Sequence, residues 1–307
     1  MDGSTPVYSD VSVPGGRLRV ARFGTGSRVT LGLHGITGSS VQLAPVARRL
    51  SPNLAMVSPD LRGRGGSNTL PGPYGMEAHA RDCAEVISQV SDRPVVVLGE
   101  SMGAYVAVVL AARFPDLVER LVLADGGIPL SVPDGLDPDA VLEAVLGPAL
   151  ARLNMVFETR EAYFDFWRAH PAFSEAWGAD VEEFLAYDLE PTERGFRSRA
   201  RPEPVRVDGR QHIVSRRLVE DALDVVTCPV HLVRATRNLV DEEPPLLSEE
   251  AVAPWRSRIA SFGDEVVEDT NHYTLFLCER GAQRLADLVA EPQPGGGGGA
   301  ESAGGVA

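Results

Sequence analysis

The chain has 307 residues, 44% of them apolar, a length that can bury a full core in one large domain or two small ones. Its 43 acidic against 29 basic side chains, for a net charge of −14, argue against nucleic acid and anionic membrane surfaces, because both are held by clustered cations. No run of about 18 apolar residues occurs, the start Met1-Asp2-Gly3-Ser4-Thr5-Pro6 lacks a basic and apolar leader, and the cysteines (Cys83, Cys228, Cys278) lack metal-ligand spacing; a cytoplasmic chain with free thiols is expected.

The first elements alternate in strand fashion, Leu18–Phe23 and then Val29–Leu33, with Gly24-Thr25-Gly26 turning between them. Leu54–Val57 is the next strand and precedes a glycine-rich loop. A helix is predicted over about 76–90, a buried strand at Val95–Leu98, a helix through Tyr105–Arg113 and a strand at Leu121–Ala124. Apolar runs with helices between them predict parallel strands covered on both faces, an α/β class. From about 129 to 226 no clear strand is found, and ten of the nineteen aromatic residues fall there. Strands resume at Val230–Val233 and Glu265–Val267, and an amphipathic helix is predicted over about 279–290. The expected organisation is a core of 1–128 and 227–290, a helical insertion at 129–226 and a disordered glycine-rich tail at 291–307.

Three segments carry chemistry. Gly99-Glu100-Ser101-Met102-Gly103 stands between a buried strand and a helix, where a tight turn exposes the serine hydroxyl and needs small flanking residues. That turn also aims the Met102 amide and the positive helix end at one point. His34-Gly35-Ile36-Thr37-Gly38 follows the Val29–Leu33 strand, so the Gly35–Ile36 loop can present a second amide, that of Ile36, to the same anion. His34 itself is expected to be structural. Thr270-Asn271-His272-Tyr273 follows the last strand. Of the six histidines, only His272 lies on a loop downstream of the serine and the acid candidates, which makes it the expected base.

His34-Gly35, Asp60-Leu61-Arg62-Gly63-Arg64-Gly65, the Ser101 elbow and Asn271-His272 occur in order over roughly residues 15–290. On these motifs the chain resembles the α/β-hydrolase superfamily. The resemblance implies a mostly parallel eight-stranded sheet with a helical cap after the sixth strand, and makes Asp60 and Arg62 scaffold. It also implies an acid that orients the histidine, and here the chain departs from the pattern. After the seventh strand it reads Ala235-Thr236-Arg237-Asn238-Leu239-Val240-Asp241, with asparagine where the acid is expected. Asp241 on a longer loop and Asp125 at the end of the sixth strand both stay open.

The expected chemistry is acyl transfer through Ser101, with His272 moving the proton and the Ile36 and Met102 amides holding the oxyanion. Esters, lactones, thioesters and C–C bonds of β-diketone-like substrates fit. Epoxide opening and dehalogenation through an alkyl-enzyme are disfavoured, since the relatives that do this carry aspartate at the elbow. The aromatics of the insertion point to a small apolar substrate, although the same residues would also fold the insertion. No phosphate loop, dinucleotide fingerprint or metal cluster is found, so no cofactor is expected. The alternatives are a biosynthetic acyltransferase or cyclase with the same serine, and a non-catalytic small-molecule binder.

Overall fold

Leu18, Val20, Ala21 and Phe23 are buried along one strand whose Arg17 is exposed, and their burial seats the chain's first hairpin on the core. The computed structural model describes residues 5–130, 132, 135–174, 176–214 and 216–292; most of the glycine-rich tail, expected to be disordered, lies outside the described residues. Ten strands are described: β1 Val7–Val13, β2 Gly16–Phe23, β3 Arg28–Leu33, β4 Leu54–Pro59, β5 Val95–Glu100, β6 Val118–Ala124, β7 Leu189–Thr192, β8 Gly195–Ser198, β9 Val230–Arg237 and β10 Phe262–Asn271. Eight of them form one sheet in the order β1-β2-β4-β3-β5-β6-β9-β10, and β7 and β8 pair separately. Within the large sheet β2 pairs antiparallel with β1 and β4, and the other neighbours are parallel.

The central strands β4 and β5 are buried at every residue, as parallel strands covered on both faces must be. Helices α1 (Met76–Val90), α2 (Met102–Arg113) and α8 (Glu279–Ala290) flank the sheet. α2 is apolar and buried from Met102 to Ala111, whereas α8 buries Leu285, Leu288 and Val289 and exposes Gln283 and Asp287. β1 escapes a pattern search because only Val11 and Val13 of its seven residues are buried; it is an edge strand that takes its register from β2.

Between β6 and β9 the chain leaves the sheet. It forms α3 (Pro138–Leu146), α4 (Arg160–Arg168), α5 (Ala179–Asp188), the β7–β8 hairpin, α6 (Pro202–Gly209) and α7 (Arg216–Leu223). Asp137 and Thr159 cap α3 and α4 through their side chains. The hairpin corrects the expectation that this stretch holds no strand. It turns at Glu193-Arg194 and is extended by a bridge between Phe157 and Phe196, but its short strands bury only Leu189 and Ser198, so no alternation betrays it. α7 packs back on α2.

Candidate active site

The site is assembled at the carboxyl ends of β3, β5, β6 and β10, with β9 lying between the last two. β5 delivers Ser101 with φ 51° and ψ −120°, a strained conformation for any residue but glycine. The ladder holds it there, since the Ser101 amide donates to the Ala124 carbonyl at 2.9 Å. A Cβ on Gly99 would strike the backbone of Gly103 and Ala104, and one on Gly103 the Leu33 carbonyl. Close approach is therefore the physical reason for both glycines of the elbow. One strand over, β6 delivers Asp125 with φ 47°, pinned in the same way by its amide to the Val233 carbonyl at 2.8 Å.

His272 leaves the end of β10. The Asn271 side chain accepts from the Tyr273 and Thr274 amides at 3.0 and 2.9 Å and so shapes the turn around it. Its Nδ1 lies 2.7 Å from Asp125 Oδ2, both groups being buried. Burial alone would pull the imidazole pKa down. The bond to Asp125 and the charges of Glu100 and Asp125 outweigh that and raise it above the usual value of 6.5.

Asp241 does not reach the imidazole. Its Oδ1 accepts from Arg237 Nε at 2.7 Å and from Asn271 Nδ2 at 2.8 Å, so it braces the residue before the histidine. The longer loop after β9 closes on itself: Asn238 accepts from the Val240 and Glu242 amides, and Asp241 turns toward Arg237. Of the two acids left open by sequence, the structure brings Asp125 and not Asp241 to His272.

The residue before the serine is a second carboxylate at the site. Glu100 is buried, its Oε1 lies 3.3 Å from His272 Nε2, and its Oε2 accepts from the Gln42 amide. Burial pushes its pKa up to about 7; the Asp125 charge adds to this, while His272 and Gln42 oppose it. Among the described residues no hydrogen bond joins Ser101 to His272, yet both line one cleft with Glu100, Trp167 and Tyr273.

The Ile36 and Met102 amides have no acceptor among the described residues. The loop that carries Ile36 is held from behind. His34 receives the Leu61 amide on Nε2 at 3.0 Å, which leaves Nδ1–H to donate to the Gly35 carbonyl at 2.7 Å. Burial pulls this imidazole down to about 3, so it is neutral and structural, as expected. Asp60 accepts from the Ser40 and Gly66 amides at 2.6 and 2.7 Å and from the Tyr187 hydroxyl of α5 at 2.6 Å. Arg62 is tied to Asp82 of α1.

Two further arginines grip the loop's carbonyls. Arg64 Nε donates to Ile36 O at 2.9 Å and its Nη1 pairs with Asp208 of α6 at 2.5 Å; His79 also meets Asp208 at 2.9 Å. Arg152 Nη2 donates to Thr37 O at 3.0 Å and lies 3.2 Å from Asp188 of α5, which also accepts from Tyr163 and Ser198. All four ions are buried. Sequence reasoning missed them. Arg64 lies inside the Asp60–Gly65 motif, but Arg152, Asp188 and Asp208 stand far apart in a stretch without period. Glu100 was legible as part of the elbow, although nothing local shows that it faces the imidazole.

Among the described residues no group of three or more His, Cys, Asp or Glu side chains is placed to hold a metal ion, and no helix is long and apolar enough to cross a membrane.

Comparison with known proteins places this geometry in context. The sequence profile of the α/β-hydrolase fold matches residues 31–188. Lipase LipV of Mycobacterium tuberculosis is 36% identical over 130 residues, which are 42% of this chain and 48% of that protein. The 2-(acetamidomethylene)succinate hydrolase of Mesorhizobium japonicum is 34% identical over 108 residues, 35% of this chain and 38% of that one. The matched stretch thus spans less than half the length of these curated relatives. The crystal structure of an E-2-(acetamidomethylene)succinate hydrolase superposes with a TM-score of 0.76 over 93% of this chain and 100% of that chain, at 23% identity, a likeness of fold.

Proposed function

The chain belongs to the α/β-hydrolase family, and on that premise we propose that it is a cofactor-independent serine hydrolase that cleaves an ester, lactone or related acyl bond of a small apolar substrate. The observation that carries this reading is the buried contact of His272 Nδ1 with Asp125 at 2.7 Å, on a cleft also lined by a strained Ser101. Asp125 fixes the tautomer that leaves Nε2 as the proton acceptor and stabilises the imidazolium. Ser101 Oγ attacks the carbonyl carbon while its proton passes to Nε2. The resulting oxyanion is received by the Ile36 and Met102 amides, one such donor being worth roughly 3 kcal/mol in other serine hydrolases. Collapse expels the leaving group, which takes the proton from Nε2. Water then repeats the sequence on the acyl-Ser101 ester, and the acid is released.

Leu146, Trp167, Phe184 and Tyr273 give the cleft apolar walls, which supports an apolar acyl group. The Asp125 contact favours turnover over silent binding, since a binder has no use for an oriented base. The test is a fluorophosphonate probe together with p-nitrophenyl esters of graded chain length. Labelling at Ser101 and hydrolysis absent from Ser101→Ala are expected. Folded protein that neither labels nor hydrolyses would leave a binding protein as the better reading.

A further inference from the structure

We propose that Glu100 is a specificity-determining residue of this cleft: its carboxylate excludes acyl groups that carry a negative charge, so that the substrate is an uncharged acyl compound. The inference rests on the hydrolase reading of Ser101 and goes beyond it by naming a substrate class.

Glu100 and Ser101 line the same cleft, and a Cβ built on Gly35 would lie 2.6 Å from Glu100 Oε2 and 3.3 Å from Ser101 Cβ, so an acyl group that Ser101 attacks lies close to the Glu100 carboxyl. Glu100 supplies the carboxyl and His272 the imidazole among the residues lining the cleft, beside the Tyr273 hydroxyl, and no arginine or lysine lines it among the described residues. The nearest cations are spoken for. Arg152 lies behind Trp167, its guanidinium 5.1 Å from the ring centroid, and its charge is met by Asp188. Arg64 faces Asp208. With His272 in its neutral, reactive form, a carboxylate on the substrate would therefore meet the Glu100 carboxylate in a cleft that no arginine or lysine lines among the described residues, where repulsion is weakly screened.

Structure alone does not require an acid at this position. Its Oε2 needs only to accept from Gln42, which a glutamine oxygen would do equally, and its Oε1 faces His272 Nε2 at 3.3 Å. The groups acting on Glu100 are His272 and Asp125, with Gln42 and the Gly35 amide as uncharged donors; Glu100 acts in turn on the Tyr273 hydroxyl. Glu100 takes up its proton near neutrality, so the exclusion strengthens as pH rises through that range.

The experiment compares two esters of equal length, p-nitrophenyl hexanoate and the mono-p-nitrophenyl ester of adipic acid, which differ by a terminal carboxylate. The ratio of their kcat/KM values is read from pH 6 to pH 8.5. Titration of His272 scales both rates alike, because only the neutral imidazole reacts, and so cancels in the ratio. The hexanoate is expected to be favoured, the preference widening by about tenfold across the range as Glu100 ionises. Glu100→Gln, and Glu100→Ala as a second variant, should give a smaller and pH-independent ratio, an effect that a purely structural role would not produce. Hydrolysis of both esters by the wild type with a flat ratio overturns the role of Glu100 and leaves the hydrolase reading standing. Absence of Ser101-dependent hydrolysis of either ester overturns both.

Discussion

The carboxyl edge of the sheet and the cap above it both bury charge, under different constraints. At the sheet edge, Ser101 and Asp125 are held by ladder hydrogen bonds that continue one residue past β5 and β6, so their geometry is set by backbone already fixed in the core. At the cap, Arg152–Asp188 and Arg64–Asp208 reach across to the carbonyls of Thr37 and Ile36 through long side chains. On the proposed reading the first region positions the reacting atoms. The second ties the Ile36–Thr37 loop to the cap by buried ion pairs, which are costly to break on one side and add little stability when intact. Substitutions at the edge should therefore damage chemistry with little change in stability, and those at the cap should damage both.

The largest expected effect is that of Ser101→Ala, which should lower kcat by at least about 10⁴-fold while the thermal midpoint stays close to that of the wild type. A large fall in the midpoint would contradict the claim that the sheet alone holds this turn. Next comes Asp125→Asn, expected to cost roughly 10³- to 10⁴-fold in kcat, whereas Asp241→Asn should stay within about threefold. Steady-state kinetics of the pair checks this, and equal losses would remove the distinction drawn between the two acids.

Arg152→Met should destabilise the fold by about 3–5 kcal/mol in urea titrations, because Asp188 is then left buried without its cation. It should also lower kcat by freeing the Thr37 carbonyl. Adding Asp188→Leu to that variant should restore much of the stability but not kcat, and recovery of both would mean that the ion pair does not position the loop.

The smallest effect concerns pH. Burial raises the Glu100 carboxyl from 4.5 to about 7 in the folded state, so the fold binds this proton more tightly than the unfolded chain does. Its contribution is fully present below about 4.5 and is lost as pH rises through about 7; His272, also raised, acts in the same direction. Glu100→Gln removes the carboxyl's share, so its thermal midpoint should gain a few degrees on the wild type between pH 5 and pH 8. An unchanged difference between the two would show that Glu100 is solvated in solution.

The places of Ser101 and His272 just past strand ends were legible in the sequence, because strand ends are written in local apolar runs and small residues. The parallel sheet was legible for the same reason: a strand buried on both faces, such as Val95–Leu98, has no polar position to disguise it. β1 and the β7–β8 hairpin were not, since each buries two residues and depends on a partner for its register. The choice between Asp125 and Asp241 belonged to tertiary structure. It turns on where the end of β10 lies relative to β6 and β9, and on Arg237, whose ion pair holds Asp241 away from the imidazole. The buried ions of the cap, and the approach of Glu100 to His272, were likewise decided there, because pairing across 36, 144 or 172 positions leaves no period in the chain. Local sequence wrote the turns that expose reactive groups; long-range packing decided which charges meet them.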